Sequence, residues 1–334
     1  MTKKISAHRR KLLVAPMAMA ALLTMVSAGV QAQSDYPNKP IRLVVGYSAG
    51  GPTDLLARLI GQDIAADLGQ PVIVDNKPGA NGSIATSFVQ NAAPDGYTLV
   101  VNTIHHYLNP LQQPEVFKYD PIKDFTPVAQ AVALPQLVIV AGDSPYKTLD
   151  DLIKKAQTRP SAVSYATAGM GGPGHLAGVL LEQRAQTHMT AVPFKGNSPA
   201  LMEVMSGRVD FIFYPMVGVS EHVSSGKLRI LAATTKERHP DYPDVPTMIE
   251  LGFLGFEELA QPVGFIAPAG LPMEIAKKLD DAIAATLKKP TTQERLKVFG
   301  AQIMHRGPTE YRDWMEEDRN RWETLLRSAN LDAQ

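Results

Sequence analysis

The sequence predicts an α/β protein built on more than one sheet, and three observations carry that reading. Short β-branched runs recur along the chain, each followed by a turn signal and then a helical pattern. The runs are nearly continuous in apolar residues rather than alternating, as expected of strands buried on both faces of a mainly parallel sheet. Their number exceeds what one sheet comfortably uses.

The first run, IRLVVGY, passes through SAGG into a helix predicted over Pro52–Leu68, with Pro52 suited to the first turn and Gly69 to the end. PVIVDN and TLVVNT follow as strands, then QLVIVAG, VSYATAG, TAVPFKG, VDFIFY, LRILAAT and VGFIAP. Helical patterns separate the later strands over residues 149–156, 174–186 and 198–205. From Pro272 onward the pattern is helical, at Met273–Lys288 and 310–328; the second helix shows a solvated face, EEDRNRWE, with Trp314, Trp322 and Leu325 turned inward. One crossing near Leu134-Pro135 and a return within ELGFLGFEEL divide the chain into lobe 1, residues 33–136 plus 253–334, and lobe 2, residues 137–252.

Composition narrows the function classes. Among 334 residues, 33 basic side chains balance 33 acidic ones, so no global field recruits nucleic acid or anionic lipid. Cysteine is absent, which removes disulfides, thiolate metal sites and cysteine catalysis, and suits an oxidising compartment. The N-terminus reads as an export signal over residues 1–32. Lys3, Lys4, Arg9, Arg10 and Lys11 precede an apolar stretch over 12–30, and Val30-Gln31-Ala32 offers a cleavage site after Ala32. Arg9-Arg10 faintly matches a twin-arginine signal, leaving the export route open. The histidines do not have metal-site spacing: His105 and His106 are adjacent, so on a strand they point to opposite faces. One of them is expected beside Thr103 in a cleft and the other at the surface. His175, at a helix start, reads as a local hydrogen-bonding group. No metal or cofactor is implied.

The stretch VVGYSAGGPTD has two readings. Gly46-Tyr47-Ser48-Ala49-Gly50 fits the G-x-S-x-G elbow of α/β-hydrolases, with Asp210 and His239 or His305 as nominal partners. That elbow normally lies after several strands, whereas Ser48 follows the first strand of the mature chain. The other reading is a glycine loop running into a helix N-terminus, which binds anions through N–H groups and the helix dipole. Thr53 and Asp54 then sit in the first turn, where oxygen-bearing side chains cap orphan N–H groups. A second loop of the same build occurs in SYATAGMGGPGHLAG, with glycines 169, 171, 172 and 174 before a helix. It lacks G-x-G-x-x-G spacing and a P-loop lysine. Two such junctions facing each other would clamp a carboxylate.

These segments, in order, resemble the extracytoplasmic solute receptors of the tripartite tricarboxylate transporter family, often called Bug receptors. The likeness runs from YPNKPIRLVVGYSAGGPTDLLAR through GQPVIVDNKPGANGSIA, AAPDGYTLVVNT, YDPIKDFTPVA, VSYATAGMGGPGHLAG and VPFKGNSPAL. It continues through GRVDFIF and GKLRILAATTKERHPDYPDVPTMIELG to GFIAPAGLP. The resemblance implies a two-lobed periplasmic-binding-protein fold, type II-like, that closes on a small organic carboxylate and passes it to membrane permease subunits without chemistry. It assigns the first-lobe grip to Tyr47, Ser48, Ala49, Gly50, Gly51, Thr53 and Thr103. The second-lobe grip falls to Ala168, Gly169, Met170, Gly171, Gly172, Phe194, Lys195, Gly196 and the Phe213-Tyr214 segment. Lys195 is expected on the rim. The chain departs from the family pattern at Ile104-His105-His106, at Gly172-Pro173-Gly174 and at Tyr214, where an aspartate or asparagine is common. An amine-recognising side chain is therefore missing. The expected ligand is a di- or tricarboxylate, or an aromatic acid stacked among Tyr47, His105 and Tyr214. The alternatives are an exported serine esterase using Ser48 and a protein that presents its ligand to a signalling sensor.

Overall fold

Most of the apolar runs are covered on both sides, in two sheets, but the runs at PVIVDN and TAVPFKG form edge strands that are only partly buried. The computed structural model describes residues 36–328; the predicted signal segment, its cleavage point at Ala32 and the side chain of Leu325 lie outside the described residues. Residues from Lys39 onward form one compact unit. The chain first lays down β1 (Ile41–Val45), α1 (Pro52–Leu68), β2 (Val72–Asn76), α2 (Ser83–Gln90), β3 (Thr98–Asn102), α3 (His105–Gln112) and β4 (Phe125–Leu134). It crosses at Pro135 into β5 (Gln136–Ala141), α4 (Leu149–Gln157), β6 (Ser164–Thr167), α5 (Pro173–Ala185), β7 (Thr190–Pro193), α6 (Asn197–Met205), β8 (Phe211–Pro215), α7 (Ser220–Ser224) and β9 (Leu228–Ala233). It then returns for β10 (Gln261–Pro268), α8 (Met273–Lys288), α9 (Pro290–Val298), β11 (Gln302–Arg306) and α10 (Pro308–Ser328). The first sheet has the order β11-β4-β10-β3-β1-β2 and the second β7-β6-β8-β5-β9, giving a two-lobed α/β fold.

Both sheets are mixed rather than mainly parallel. β1 pairs parallel with β2 and β3, and β6 with β7 and β8. β10 runs antiparallel to β3 and β4, and β5 to β8 and β9. The cause lies at the crossing. β4 and β5 are separated only by Pro135, so β5 enters the second sheet directly, without the helical crossover that parallel pairing requires.

Strand alternation sorts the core. In the second lobe Val138, Val140, Phe211 and Phe213 share a cluster with Leu152, Leu176 and Leu181 of α4 and α5. Leu137, Ile139, Ile212 and Tyr214 face the other way, onto Ala200, Leu201 and Val204 of α6. In the first lobe Val44, Val100 and Ile266 meet Val89 of α2 and Tyr311 and Met315 of α10. The first of these clusters also takes in Ile104 just before α3, Tyr107 and Leu108 of α3, and Trp322 and Leu326 of α10, so one apolar seam joins the lobes. Among the described residues no helix is long and apolar enough to cross a membrane.

Two sequence expectations change. His105 and His106 are not on a strand, because β3 ends at Asn102 and a turn closed by Thr103 O and the His106 N–H opens α3. His106 is buried, not at the surface; its Nε2 lies 2.8 Å from Pro121 O and its ring stacks on Tyr119.

Close packing at the centre of β10 makes one test simple. A methyl on Gly264 would lie 2.4 Å from the Tyr311 hydroxyl and 2.8 Å from Ala129 O. Gly264→Ala is expected to cost about 1–3 kcal/mol through overpacking, read as a lower urea midpoint at unchanged slope.

Candidate functional site

Two turns of near-identical geometry, one in each lobe, follow the carboxyl ends of parallel strands. After β1 the chain runs Gly50-Gly51-Pro52-Thr53-Asp54 into α1, and after β6 it runs Gly171-Gly172-Pro173-Gly174-His175 into α5. Gly50 and Gly171 have φ of 75° and 74°, a left-handed conformation that only glycine adopts at little cost. Gly51 and Gly172 are extended N-caps, at φ −81° and −79°, each followed by the proline that opens the helix. Each turn is braced from four residues on. The Gly50 N–H donates to the Asp54 carboxylate at 2.9 Å, and the Gly171 N–H donates to His175 Nδ1 at 2.9 Å. Asp54 therefore braces the turn ahead of the helix rather than capping a free helical N–H, and α1 has no side-chain cap.

The braces differ in charge. Asp54 is buried, which acts to raise its pKa, but hydrogen bonds from Arg58, the Gly50 N–H and Asn76, with the Arg58 charge, outweigh burial and hold the carboxyl below its ordinary range. Asn76 Nδ2 also donates to Tyr47 O at 3.1 Å, tying the turn to β2. Burial lowers the His175 pKa to about 4, so its Nδ1 is a neutral acceptor, and the ring stacks on Tyr165.

Behind the first turn lies a polar chain. The Tyr47 hydroxyl sits 2.7 Å from Thr103 Oγ1 and 2.9 Å from His105 Nδ1. Burial raises the tyrosine pKa against the opposing effect of Thr103, and burial lowers His105 to about 4, so both are neutral at neutral pH. His105 Nε2 is buried without a hydrogen-bond partner.

The turns meet across the cleft. Ser48 Oγ donates to Lys195 O at 3.2 Å, and Asn81 Nδ2 donates to Met170 O at 3.3 Å. A Cβ on Gly169 would lie 1.9 Å from Asn81 Oδ1, one on Gly171 2.0 Å from the Gln112 amide, and one on Gly172 2.2 Å from His105 Nε2. Between them is a cavity of about 20 Å³, the size of one water. Its lining combines Tyr47, Thr53, His105 and Gln261 with Gln136, Thr167, Ala168, Gly169, Gly172, Asn197 and Phe213. None of the residues that line it is Asp, Glu, Lys or Arg. A larger groove of about 780 Å³ lies by the crossing segments, among Lys236, Arg238, Leu296 and Ile303, and touches neither glycine turn.

Of the residues singled out from sequence, Tyr47, Thr53, His105, Ala168, Gly169 and Gly172 line this cavity, and Thr103 stands behind Tyr47. Ser48, Gly51 and Gly196 lie at the turn-to-turn contact, Gly51 against Ser198 and Gly196 against Ser48. Ala49, Gly50 and the Met170 side chain are exposed. Phe194 and the exposed Lys195 line a neighbouring groove of about 290 Å³ with Tyr47 and Ala168. Tyr214 is not in the cavity. Strand alternation sends it into the α6-side core, while Phe213 and Pro215 reach the cleft, so the expected Tyr47–His105–Tyr214 stack does not form. Three of the expected amide donors are engaged within the chain, since the Gly51 N–H bonds Ser48 O at 3.3 Å in addition to the Gly50 and Gly171 braces. The hydrolase partners lie apart from Ser48. Asp210 bonds Tyr146 and Ser164, His239 lies beside Asp241 and Tyr242, and His305 bonds Asp280. Sequence reasoning missed Gln136, Gln261, Asn197 and Asn81. The signal for the first two was a glutamine heading each apolar run that follows a crossing.

Two α/β lobes enclosing a polar cavity between their glycine turns define a solute-binding protein. Residues 56–331 match the tripartite tricarboxylate transporter family receptor, and the chain belongs to that family. It is 33% identical over 316 residues, 94% of each chain, to a protein of Pseudomonas sp. (strain P51) described as the UPF0065 protein in the tcbD-tcbE intergenic region. Rpa4515 of R. palustris, solved with adipate, matches with a TM-score of 0.85 and 33% identity over 90% of this chain and 100% of that one. MatC of Rhodopseudomonas palustris, with bound malate, matches with a TM-score of 0.80 and 33% identity over 87% of this chain and 100% of that one.

The charged brace has a pH signature. The Asp54 carboxyl ionises more readily in the native chain than in the unfolded one, so its stabilisation is full above about pH 4 and is lost as pH falls through the native value. Asp54→Ala should cost about 1.5–3 kcal/mol at pH 7. In urea titrations the gap to wild type should narrow at pH 3.

Proposed function

We propose that this protein captures a small organic carboxylate lacking an amine in the periplasm, after loss of residues 1–32, and delivers it to a transporter permease. The lobes, 33–136 with 253–334 and 137–252, grip it between their glycine turns, and no bond is made or broken. One observation carries the reading. Both turns open onto a cavity whose polar lining is neutral, with amide, hydroxyl and imidazole groups and no acid to hold an ammonium group. A carboxylate buried there needs several donors to offset its desolvation, and helix N-termini add partial positive charge from both lobes. The adipate and malate of the two R. palustris relatives fit that chemistry. Aliphatic acids suit the cavity better than aromatic ones, because Tyr214 offers no stacking face and the Tyr47 hydroxyl is held by Thr103 and His105. A space of about 20 Å³ admits no such acid until the turns separate, so binding moves the lobes.

A thermal-shift screen of malate, adipate, citrate, benzoate and representative amino acids against the mature protein tests this, because a ligand that binds only the native state raises Tm. Aliphatic di- or tricarboxylates should shift Tm; a shift by amino acids alone would refute the reading. Ser48→Ala should keep most of the affinity, whereas an esterase would lose turnover. Gly172→Ala sets a methyl against His105 Nε2, so that the two turns cannot approach as they do here, and should weaken capture by at least tenfold in calorimetry.

A further inference from the structure

His105 is buried, belongs to a stretch where the chain departs from the pattern it otherwise resembles, and has one ring nitrogen bonded and one free. Nδ1 lies 2.9 Å from the Tyr47 hydroxyl, which lies 2.7 Å from Thr103 Oγ1. Nε2 has no hydrogen-bond partner and lies close against the backbone of Gly172, both residues lining the cavity. An unpartnered polar atom buried in a cleft costs free energy unless something outside the chain satisfies it.

The chain Thr103–Tyr47–His105 allows two proton arrangements, since each hydroxyl has one proton and a neutral imidazole has one N–H. In the first, Thr103 donates to Tyr47, Tyr47 donates to Nδ1, and the imidazole proton sits on Nε2, aimed into the cavity. In the second, Nδ1–H donates to Tyr47, Tyr47 donates to Thr103, and Nε2 presents a lone pair. A carboxylate only accepts hydrogen bonds, so it pairs with the first arrangement alone. An ammonium group pairs with the second.

We propose that His105 is a specificity-determining residue of this receptor, its Nε2–H donating directly to the acid group of the ligand, with Tyr47 and Thr103 as positioning residues that set its tautomer. The inference rests on the carboxylate reading above and adds the atom that performs the selection. Tyr47 is the titratable side chain that faces the imidazole from the β1 turn; from α5 it meets the backbone of Gly172, and the cavity lining holds no carboxylate to keep it protonated. Burial moves its pKa down to about 4, so the donor is a neutral N–H.

The substitutions separate the two nitrogens. Glutamine reaches the position of Nε2, and asparagine stops at that of Nδ1. With malate, adipate and citrate as probes in calorimetry, His105→Gln should keep most of the wild-type affinity. His105→Asn, which keeps a partner for Tyr47 but offers nothing to the cavity, should lose roughly 10- to 100-fold, the worth of one hydrogen bond to a charged group. Tyr47→Phe, which removes the hydroxyl that donates to Nδ1 and fixes the tautomer, should bind these acids less well than wild type. Nitrogen NMR of 15N-histidine-labelled wild type with the acid bound should show Nε2 protonated and Nδ1 bare, a readout that needs no variant to fold. Equal affinity in His105→Asn and wild type, or a bare Nε2 in the complex, overturns the proposal while the carboxylate reading stands. If wild type binds none of the acids screened, both fall together.

Discussion

The site depends on one steric constraint. The second-lobe turn must pass so close to first-lobe side chains that three of its residues carry no Cβ. Gly169, Gly171 and Gly172 press on Asn81, Gln112 and His105 at distances no methyl group tolerates. Those three contacts set where the lobes meet and how much space remains between them. They also explain why the turns are braced from within. A turn that faces another backbone has no side chains of its own to hold its shape, so Asp54 and His175 each reach back four residues to bind the glycine N–H. The chemistry of the two braces follows from their surroundings. Asp54 has Arg58 and Asn76 to satisfy a charge, whereas His175 is packed on Tyr165 and stays neutral.

What holds the lobes together is unevenly distributed. Ile104, Tyr107 and Leu108 share a cluster with Leu176, Phe213, Phe256 and Trp322, so the apolar core runs continuously from one lobe to the other. At the turn tips the contacts are polar, long and partly exposed, at 3.2 Å and 3.3 Å. Hydrogen bonds of that kind contribute little net stability. A solute that bonds both turns supplies at the tips what the seam supplies elsewhere, and it can favour one lobe arrangement only by that difference in interaction.

Much of this was legible in the sequence, and the illegible parts have physical causes. Apolar continuity found the nine strands read from the sequence, and proline–glycine punctuation placed α1 at Pro52–Leu68, as observed. β4 escaped because FTPVAQAVAL interrupts its apolar residues with Pro127 and the buried Gln130, and β11 because its residues are largely exposed. α3 has no side-chain cap and contains Pro110, so nothing local announces a helix at His105. The paired Gly-Gly-Pro turns could be read as alike from the letters, and His175 as a local hydrogen-bonding group, but not that Asp54 and His175 brace the two turns in the same way, since aspartate and histidine share no motif. Tyr214 was misplaced for a reason of parity. Adjacent strand residues face opposite ways, and the letters do not say which face of β8 looks onto the cleft. Gln136 and Gln261 were overlooked because a lone amide at the head of an apolar run resembles a strand boundary, and only the fold brings both to one cavity.

The absence of charge in the lining bears on how such a site can both hold and release an anion. A lysine or arginine buried opposite the carboxylate would bind it strongly but would be an uncompensated charge whenever the site had no ligand, at a cost of several kcal/mol. Neutral donors avoid that cost. They can be satisfied by water in one lobe arrangement and by the ligand in the other, and oriented amides and helix ends still supply a favourable field. Lys195 lies exposed in the adjoining groove, where water screens it, and Arg58 is paired with Asp54 behind the first turn. The imidazole of His105, neutral through burial and oriented by Tyr47, completes the same design: it offers a directed donor without a fixed charge, so the two lobes can part without leaving a buried ion behind.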